Sequence, residues 1–216
     1  MRKGETNLKH ATNRPGGGVE GFILIGGASS RMGSDKAQLK LGGRTFVDRI
    51  AEALSAVAAT IFCVGGKEDS CPGLSTVPDI YLDWGALGGL HAALSACTLD
   101  WAAIVACDLP FVTGDLFQRL ANLRDDFDAV VPLQLDGRPQ PLAALYRRGP
   151  CLAQAEALIA VGERRPRGLL AAVNTRLVQH AELEDLAGAA NFFSNINAPG
   201  DYARARSLAG NGKTGI

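Results

Sequence analysis

Two short runs carry the side chains whose types and spacing suit phosphate chemistry. The first is residues 26–36, Gly-Gly-Ala-Ser-Ser-Arg-Met-Gly-Ser-Asp-Lys. Its glycines let the backbone come close to a ligand, its successive amides suit an anion nest, its serines add hydroxyl donors, and Arg31 and Lys36 neutralise charge. Together these meet the needs of a triphosphate. The run is neither a GxxxxGK[ST] loop nor a GxGxxG turn, so the reading rests on composition and on its place directly after the apolar run 21–25. A Gly/Ser-rich surface turn with two solvated cations is the competing reading. The second run is Cys107-Asp108-Leu109-Pro110, which ends the apolar segment 101–106. A carboxylate there faces the ligand crevice of an open α/β sheet, where Asp108 can hold Mg²⁺ against phosphate oxygens; an Asp close to a Pro also serves to cap or turn a chain.

The remaining reactive side chains offer less. His10, His91 and His180 lie far apart and none has HExxH spacing, so a histidine metal site has little support and His91 reads as a helix residue. Cys107 has no positioned base beside it and reads as a buried thiol at a strand end. Gly212-Lys213-Thr214 imitates half a phosphate loop without the upstream glycine or a following helix. Trp84 reads as a packing residue more than as a ring that stacks on a ligand.

The elements that must position these residues follow from hydrophobic periodicity. Strands are predicted at 21–27, 60–66, 101–106, 128–133, 141–147 and 176–181. Helices are predicted at 45–58, where Phe46, Ile50, Leu54 and Val57 make one stripe, and at 87–97, with Leu87, Leu90 and Leu94 on one face. Further helices fall at 113–124, with Thr113 as N-cap and Asp115 in the first turn, and at 150–161, 166–173 and 199–209. Asp136-Gly137 reads as a turn. Strands alternating with helices predict a three-layer Rossmann-like α/β fold, a mostly parallel central sheet with helices on both faces. Residues 1–18 read as a flexible tail, 19–209 as a single domain and 210–216 as a frayed end.

Bulk composition narrows the function classes. The chain has 216 residues, and its 22 basic side chains equal its 22 acidic ones, which argues against a broad face for nucleic-acid backbones. At 47% hydrophobic content and this length, a core forms without staples. Five cysteines, an odd number without CxxC spacing, predict neither a disulfide framework nor a zinc ribbon, and point to a reducing compartment. The first residues lack an apolar targeting segment and no run is long enough for a membrane span, so the expectation is a cytoplasmic protein with no membrane partner.

The segment Leu24–Gly43, LIGGASSRMGSDKAQLKLGG, closely resembles the signature LAGGxSxRMGxDKxxLxxxG of the molybdenum cofactor guanylyltransferases. Four further landmarks of that family appear in order. They are Asp79 with Gly85-Ala86-Leu87-Gly88-Gly89, then Ala106–Pro110, then Pro139–Tyr146 (PQPLAALY), then Phe193–Pro199 (FSNINAP). The resemblance spans about residues 20 to 208 and implies a nucleotidyltransferase fold. It also implies transfer of GMP from GTP to the terminal phosphate of molybdopterin, with Mg²⁺ required and pyrophosphate released, and partner proteins of molybdenum cofactor biosynthesis and molybdoenzymes.

Carried over position by position, the resemblance puts Leu24, Ile25 and Gly26 against guanine and ribose through their backbones. It puts Gly27 and Arg31 near the phosphates, Lys36 at the triphosphate, Asp79 on the nucleotide, and Asp108 on both nucleotide and Mg²⁺. Gln140, Asn195 and Asn197 have amides suited to the donor–acceptor edge of a pterin, although a surface Gln and turn-forming Asn would look the same in sequence. Arg164, Arg165 and Arg167 read as a solvated helix-start cluster, with contact to the pterin phosphate as the alternative. Where the family has an Asn at the end of the second strand, this chain has Val64, whose side chain cannot hydrogen-bond. A CTP-using relative of the same fold is therefore the near alternative, and a non-catalytic nucleotide-binding protein is the more distant one.

Overall fold

Alternation along the first strand, β1 (Val19–Leu24), sends Val19 and Ile23 to one face of a sheet and Phe22 and Leu24 to the other. All six of its residues are buried, so both faces must be covered. The computed structural model describes residues 18–25, 36–66 and 71–211, and in it helices cover both faces. On the Ile23 face lie α1 (Phe46–Leu54) and α3 (Gly114–Asn122). On the Phe22 face lie α2 (Gly85–Ala96), α4 (Arg148–Ala160) and α5 (Pro166–Ala172). The predicted three-layer α/β architecture is the observed one.

The remaining strands of the sheet are β4 (Ile61–Val64), β5 (Ser75–Val77), β6 (Trp101–Ala106), β7 (Ala129–Pro132), β8 (Ala143–Arg147) and β9 (Thr175–Val178). The seven strands run in the order β5-β4-β1-β6-β8-β7-β9. Only β8 is reversed; it pairs antiparallel with both β6 and β7. From β1 the chain builds outward through β4 and β5, then crosses to β6 on the other side of β1, in register Leu24↔Ala106. That reversal of direction opens a crevice beyond the carboxyl ends of β1 and β6. A small hairpin of β2 (Lys40–Leu41) and β3 (Arg44–Thr45) precedes α1. Against it packs the last helix, α6 (Pro199–Asn211), through a cluster of Leu41, Phe46, Ile196 and Ala205, with the Tyr202 hydroxyl donating to the Lys40 carbonyl at 2.8 Å.

Several boundaries differ from the sequence expectation for local reasons. Helix α1 stops at Leu54, not 58, where the chain tightens: the Ala56 and Val57 amides donate only three residues back, to the Ala53 carbonyl at 3.4 Å and the Leu54 carbonyl at 3.0 Å. Thr113 stands at the N-cap of α3, but its buried hydroxyl makes no hydrogen bond, so the predicted side-chain cap is absent. The strand expected over 176–181 ends at Val178, and Gln179–Glu182 close a 3₁₀ turn in which the Gln179 amide donates to the Glu182 carboxylate at 2.8 Å. Helix α6 continues two residues past the expected end at 209, to Asn211. The hairpin β2–β3 and strand β5 have two or three residues each, too few for periodicity to reveal.

The cysteine reading needs one correction. Cys63 in β4 and Cys71 are joined as a disulfide, with their Cα atoms 6.8 Å apart. The two thiols have no motif spacing; the pairing joins the end region of β4 to the residue that precedes β5 by four positions. Cys97, Cys107 and Cys151 are buried; burial pushes Cys97 and Cys151 up to about 12, so both stay protonated at neutral pH. Among the described residues no helix is long and apolar enough to cross a membrane.

Candidate active site

The carboxyl ends of the parallel strands and the amino end of β8 share one edge of the sheet, and the described candidates meet there. Ile25 follows β1, Asp79 follows β5, Asp108 follows β6, and Gln140 precedes β8. The ladder continues one step past β1: the Ile25 amide donates to the Val64 carbonyl at 2.9 Å, and the Cys107 amide donates to the Leu24 carbonyl at 3.0 Å. These bonds fix where the glycine-rich segment leaves the sheet, with Cys107 and Asp108 alongside. Gly26, Gly27 and Arg31 lie outside the described residues. Lys36 opens a 3₁₀ turn, Lys36–Gln38, that leads to the hairpin.

Asp108 lies in a tight turn. The Leu109 amide donates to the Ala106 carbonyl at 3.2 Å, and the Val112 amide donates to the Leu109 carbonyl at 3.4 Å. Two distant segments hold this turn from outside. The Ile196 amide donates to the Asp108 carbonyl at 3.0 Å, and the Arg49 Nε of α1 donates to the Pro110 carbonyl at 3.1 Å. The first of these contacts brings Asn195 and Asn197, both exposed, to the acid at the end of β6. The backbone of Asn197 has the turn role that sequence allowed, its amide and that of Ala198 donating to the Asp201 carboxylate at 3.1 and 2.9 Å.

Gln140 is not a surface residue. It is 7% exposed, its amide donates to the Pro132 carbonyl at 2.9 Å, and its side-chain Oε1 accepts from the Leu142 amide at 3.4 Å. Tyr146, fully buried, donates its hydroxyl to the Pro141 carbonyl at 2.7 Å and so fixes the same approach to β8. Asp79 is half-buried, and that burial raises its carboxyl above the usual Asp range. Val64, by contrast, points its side chain into the core under α2, where it is 1% exposed.

The loop between β5 and α2 folds back along the helix. Asp83 takes a left-handed backbone, φ 58°, and Gly85 another at 68°. A methyl group on Gly88 would stand 2.7 Å from the Trp84 Cβ and 3.3 Å from the Tyr81 carbonyl. Trp84 is half-buried; its Nε1 donates to the Glu163 carbonyl at 3.0 Å, and the Arg164 guanidinium sits 4.6 Å over its ring. The Leu87 amide donates to the Arg164 carbonyl at 3.4 Å. The arginine cluster at 164–167 thus stands at the amino end of α2 on the crevice edge, with all three guanidinium-bearing residues exposed. His91, also on α2, is buried beneath Tyr81, whose ring meets it edge-on at 5.0 Å. Burial pulls its imidazole below the ordinary value against the opposing pull of Glu156, 3.8 Å away.

The roles of Arg49 and of the Ile196 backbone escaped sequence reading. Arg49 lies off the apolar stripe of α1, and nothing in its spacing points to Pro110, 61 residues on. The order of FSNINAP after PQPLAALY shows only sequence, not that Ile196 reaches Asp108. As to a metal, Mg²⁺ typically takes one or two protein carboxylates and fills its remaining sites with water and substrate phosphates. Asp108 at the crevice fits that donor set. No cluster of three or more His, Cys, Asp or Glu suited to an all-protein cage occurs among the described residues.

A mostly parallel sheet with a strand-order switch, and an acid at the end of the strand beside that switch, is the architecture of a nucleotidyltransferase-type α/β protein. Solved structures share this fold. Molybdopterin-guanine dinucleotide biosynthesis protein A from Archaeoglobus fulgidus superposes with a TM-score of 0.75 at 24% identity, over 89% of this chain and 99% of that one. A 2-C-methyl-D-erythritol 4-phosphate cytidylyltransferase from Thermus thermophilus does so with a TM-score of 0.63 at 20% identity, over 87% and 97%. The model of the MobA-like NTP transferase domain matches residues 21–182. Two relatives, each called a probable molybdenum cofactor guanylyltransferase, are similar over 90% of this chain and 95% of their own length. The protein from Pelotomaculum thermopropionicum is 34% identical, and that from Deinococcus radiodurans is 36% identical. The chain belongs to the MobA-like NTP transferase family.

Proposed function

We propose that this chain transfers GMP from GTP to the terminal phosphate of molybdopterin, forming the guanine dinucleotide form of the cofactor and releasing pyrophosphate. The observation that carries this reading is the Ile196–Asp108 backbone bond at 3.0 Å, which unites the FSNINAP segment with the acid that follows β6, next to the end of β1. A two-substrate transfer needs both sets of groups at one crevice.

The acceptor is a phosphate monoester, largely anionic at neutral pH, so it needs no strong base to become a nucleophile. The obstacle is repulsion between that anion and the α-phosphate. Arg31 and Lys36 lower it by placing positive charge on the oxygens that gain negative charge, and Asp108 holds the metal end of the nucleotide. Mg²⁺, when bound, supplies further charge neutralisation on those oxygens. Asp79 accepts from the nucleotide. For the base, the Leu24 carbonyl and Ile25 amide are already engaged in the sheet, so selection falls to the Ile25 carbonyl and the groups from Gly26 onward. Gln140, Asn195 and Asn197 orient the pterin, and proteins of molybdenum cofactor biosynthesis and molybdoenzymes are the partners that deliver it and take the product.

Val64 favours keeping CTP as a second donor, since its buried side chain supplies no base contact. A pyrophosphate-release assay with molybdopterin and Mg²⁺, run with GTP and with CTP, decides between them. GTP is expected to be used and CTP not. Asp108→Asn should lower turnover about a hundredfold or more while circular dichroism stays native. Absence of pyrophosphate with GTP in the unaltered protein overturns the reading, and normal turnover in Asp108→Asn overturns the role of that acid.

A further inference from the structure

We infer that Arg49 is a positioning residue for Asp108, acting through the carbonyl of Pro110; the inference rests on the transfer function proposed above.

The turn that presents Asp108 contains the backbone bonds Leu109 to Ala106 at 3.2 Å and Val112 to Leu109 at 3.4 Å, and Pro110, lacking an N–H, contributes no donor to it. Contacts from distant elements also bear on its position. One anchor is the Ile196 amide on the Asp108 carbonyl. Another is the guanidinium of Arg49, a charged donor to the carbonyl of buried Pro110 at 3.1 Å, partly shielded from water. A charged donor strengthens a hydrogen bond relative to a neutral one.

Arg49 is well placed to act as a strut because α1 itself is rigid. Phe46, Ile50 and Leu54 on its inner face are fully buried. Its first turn is closed by a reciprocal cap, in which Thr45 and Asp48 each accept the other's backbone amide at 3.0 and 3.1 Å. The same helix adjoins the hairpin that follows Lys36, so Arg49 links the frame of the glycine-rich run to the acid across the crevice. Only the guanidinium reaches Pro110 with this geometry. Gln at 49 loses both charge and length, whereas Lys keeps the charge and a single donor.

The test measures how much Mg²⁺ strengthens GTP binding, by titrating GTP into the full chain with MgCl₂ and again with EDTA, in parallel with kcat for pyrophosphate release. The ratio of the two dissociation constants reports how well Asp108 is aimed. In Arg49→Gln the ratio should fall at least threefold, toward that of Asp108→Asn. Its kcat should fall about tenfold, the EDTA dissociation constant should hold, and Arg49→Lys should restore part of both losses. Glu52→Gln, an exposed change on the same helix, should leave both values unaltered. A purely structural role would lower the melting temperature of Arg49→Gln without moving the ratio, and that result overturns the inference. So does a native ratio and kcat in Arg49→Gln. If the unaltered protein shows no Mg²⁺-dependent gain at all, the failure belongs to the transfer reading itself.

Discussion

The adjacent glycines Gly88 and Gly89 should respond with opposite signs to the same methyl group. Both lie in the body of α2, where replacing Gly by Ala gains about 0.8–1.0 kcal/mol of helix propensity. At Gly89 the new Cβ would meet only the Leu24 methyl groups, at 3.5 and 3.8 Å, an ordinary contact. Gly89→Ala is therefore expected to stabilise by up to about 1 kcal/mol, or roughly 2–4 °C in melting temperature for a chain of this size. At Gly88 the methyl would stand 2.7 Å from the Trp84 Cβ, which is the root of a side chain and cannot swing away. Overpacking of that kind costs about 1–3 kcal/mol. Since the propensity gain is common to both variants, their difference isolates the clash, and Gly88→Ala should be less stable than Gly89→Ala by about 1–3 kcal/mol. Urea denaturation followed by circular dichroism measures the gap. A Gly88→Ala protein as stable as Gly89→Ala would show that the loop of Tyr81–Trp84 does not pack on α2 as described.

Two stability predictions complete the set. The buried Glu20 carboxylate accepts from the Thr98 amide at 2.6 Å, the Thr98 hydroxyl at 2.9 Å and the Leu99 amide at 3.3 Å. Burial alone would raise its pKa, but these bonds and the neighbouring Cys97 thiol outweigh it and hold the acid below the usual 4.5. Its contribution is complete above 4.5 and lost as pH falls through the lower folded value, so Glu20→Gln should flatten the acid limb of a stability profile and cost about 1–3 kcal/mol at neutral pH. An acid limb as steep as in the unaltered protein would refute this. The Cys63–Cys71 bridge closes a loop with a sequence separation of 8, for which chain entropy gives about 2.5 kcal/mol. Reductant should lower the urea stability by about that amount, and unchanged midpoints with and without reductant would show that the bridge contributes nothing.

Much of the framework was legible because it is written in local patterns. The runs 21–25 and 101–106 are apolar at nearly every position, as strands covered on both faces must be, and they led directly to the crevice between β1 and β6. Asp108 falls at the end of a predicted strand on that crevice edge, so its place followed from the order of elements, whereas Asp79 follows β5, which periodicity did not reveal, and was named from the resemblance alone. Features that depend on distant pairing stayed hidden. Nothing local to Cys63 indicates that it pairs with Cys71, and nothing near Gln140 shows that it is buried, since its surroundings come from Pro132 and Tyr146. Gly26, Gly27 and Arg31 fall outside the described residues; composition and resemblance are what single them out.

The reversal of β8 decides which pole of α4 reaches the crevice. After a parallel strand the next helix would present its amino end there, an attractive pole for phosphates. Because β8 runs the other way, α4 arrives with its carboxyl end, closing on Glu163 and Arg164 beside Trp84. That pole carries partial negative charge and by itself would repel an anionic substrate. Arg164, Arg165 and Arg167 follow immediately, so three exposed cations stand against the partial negative charge of that pole.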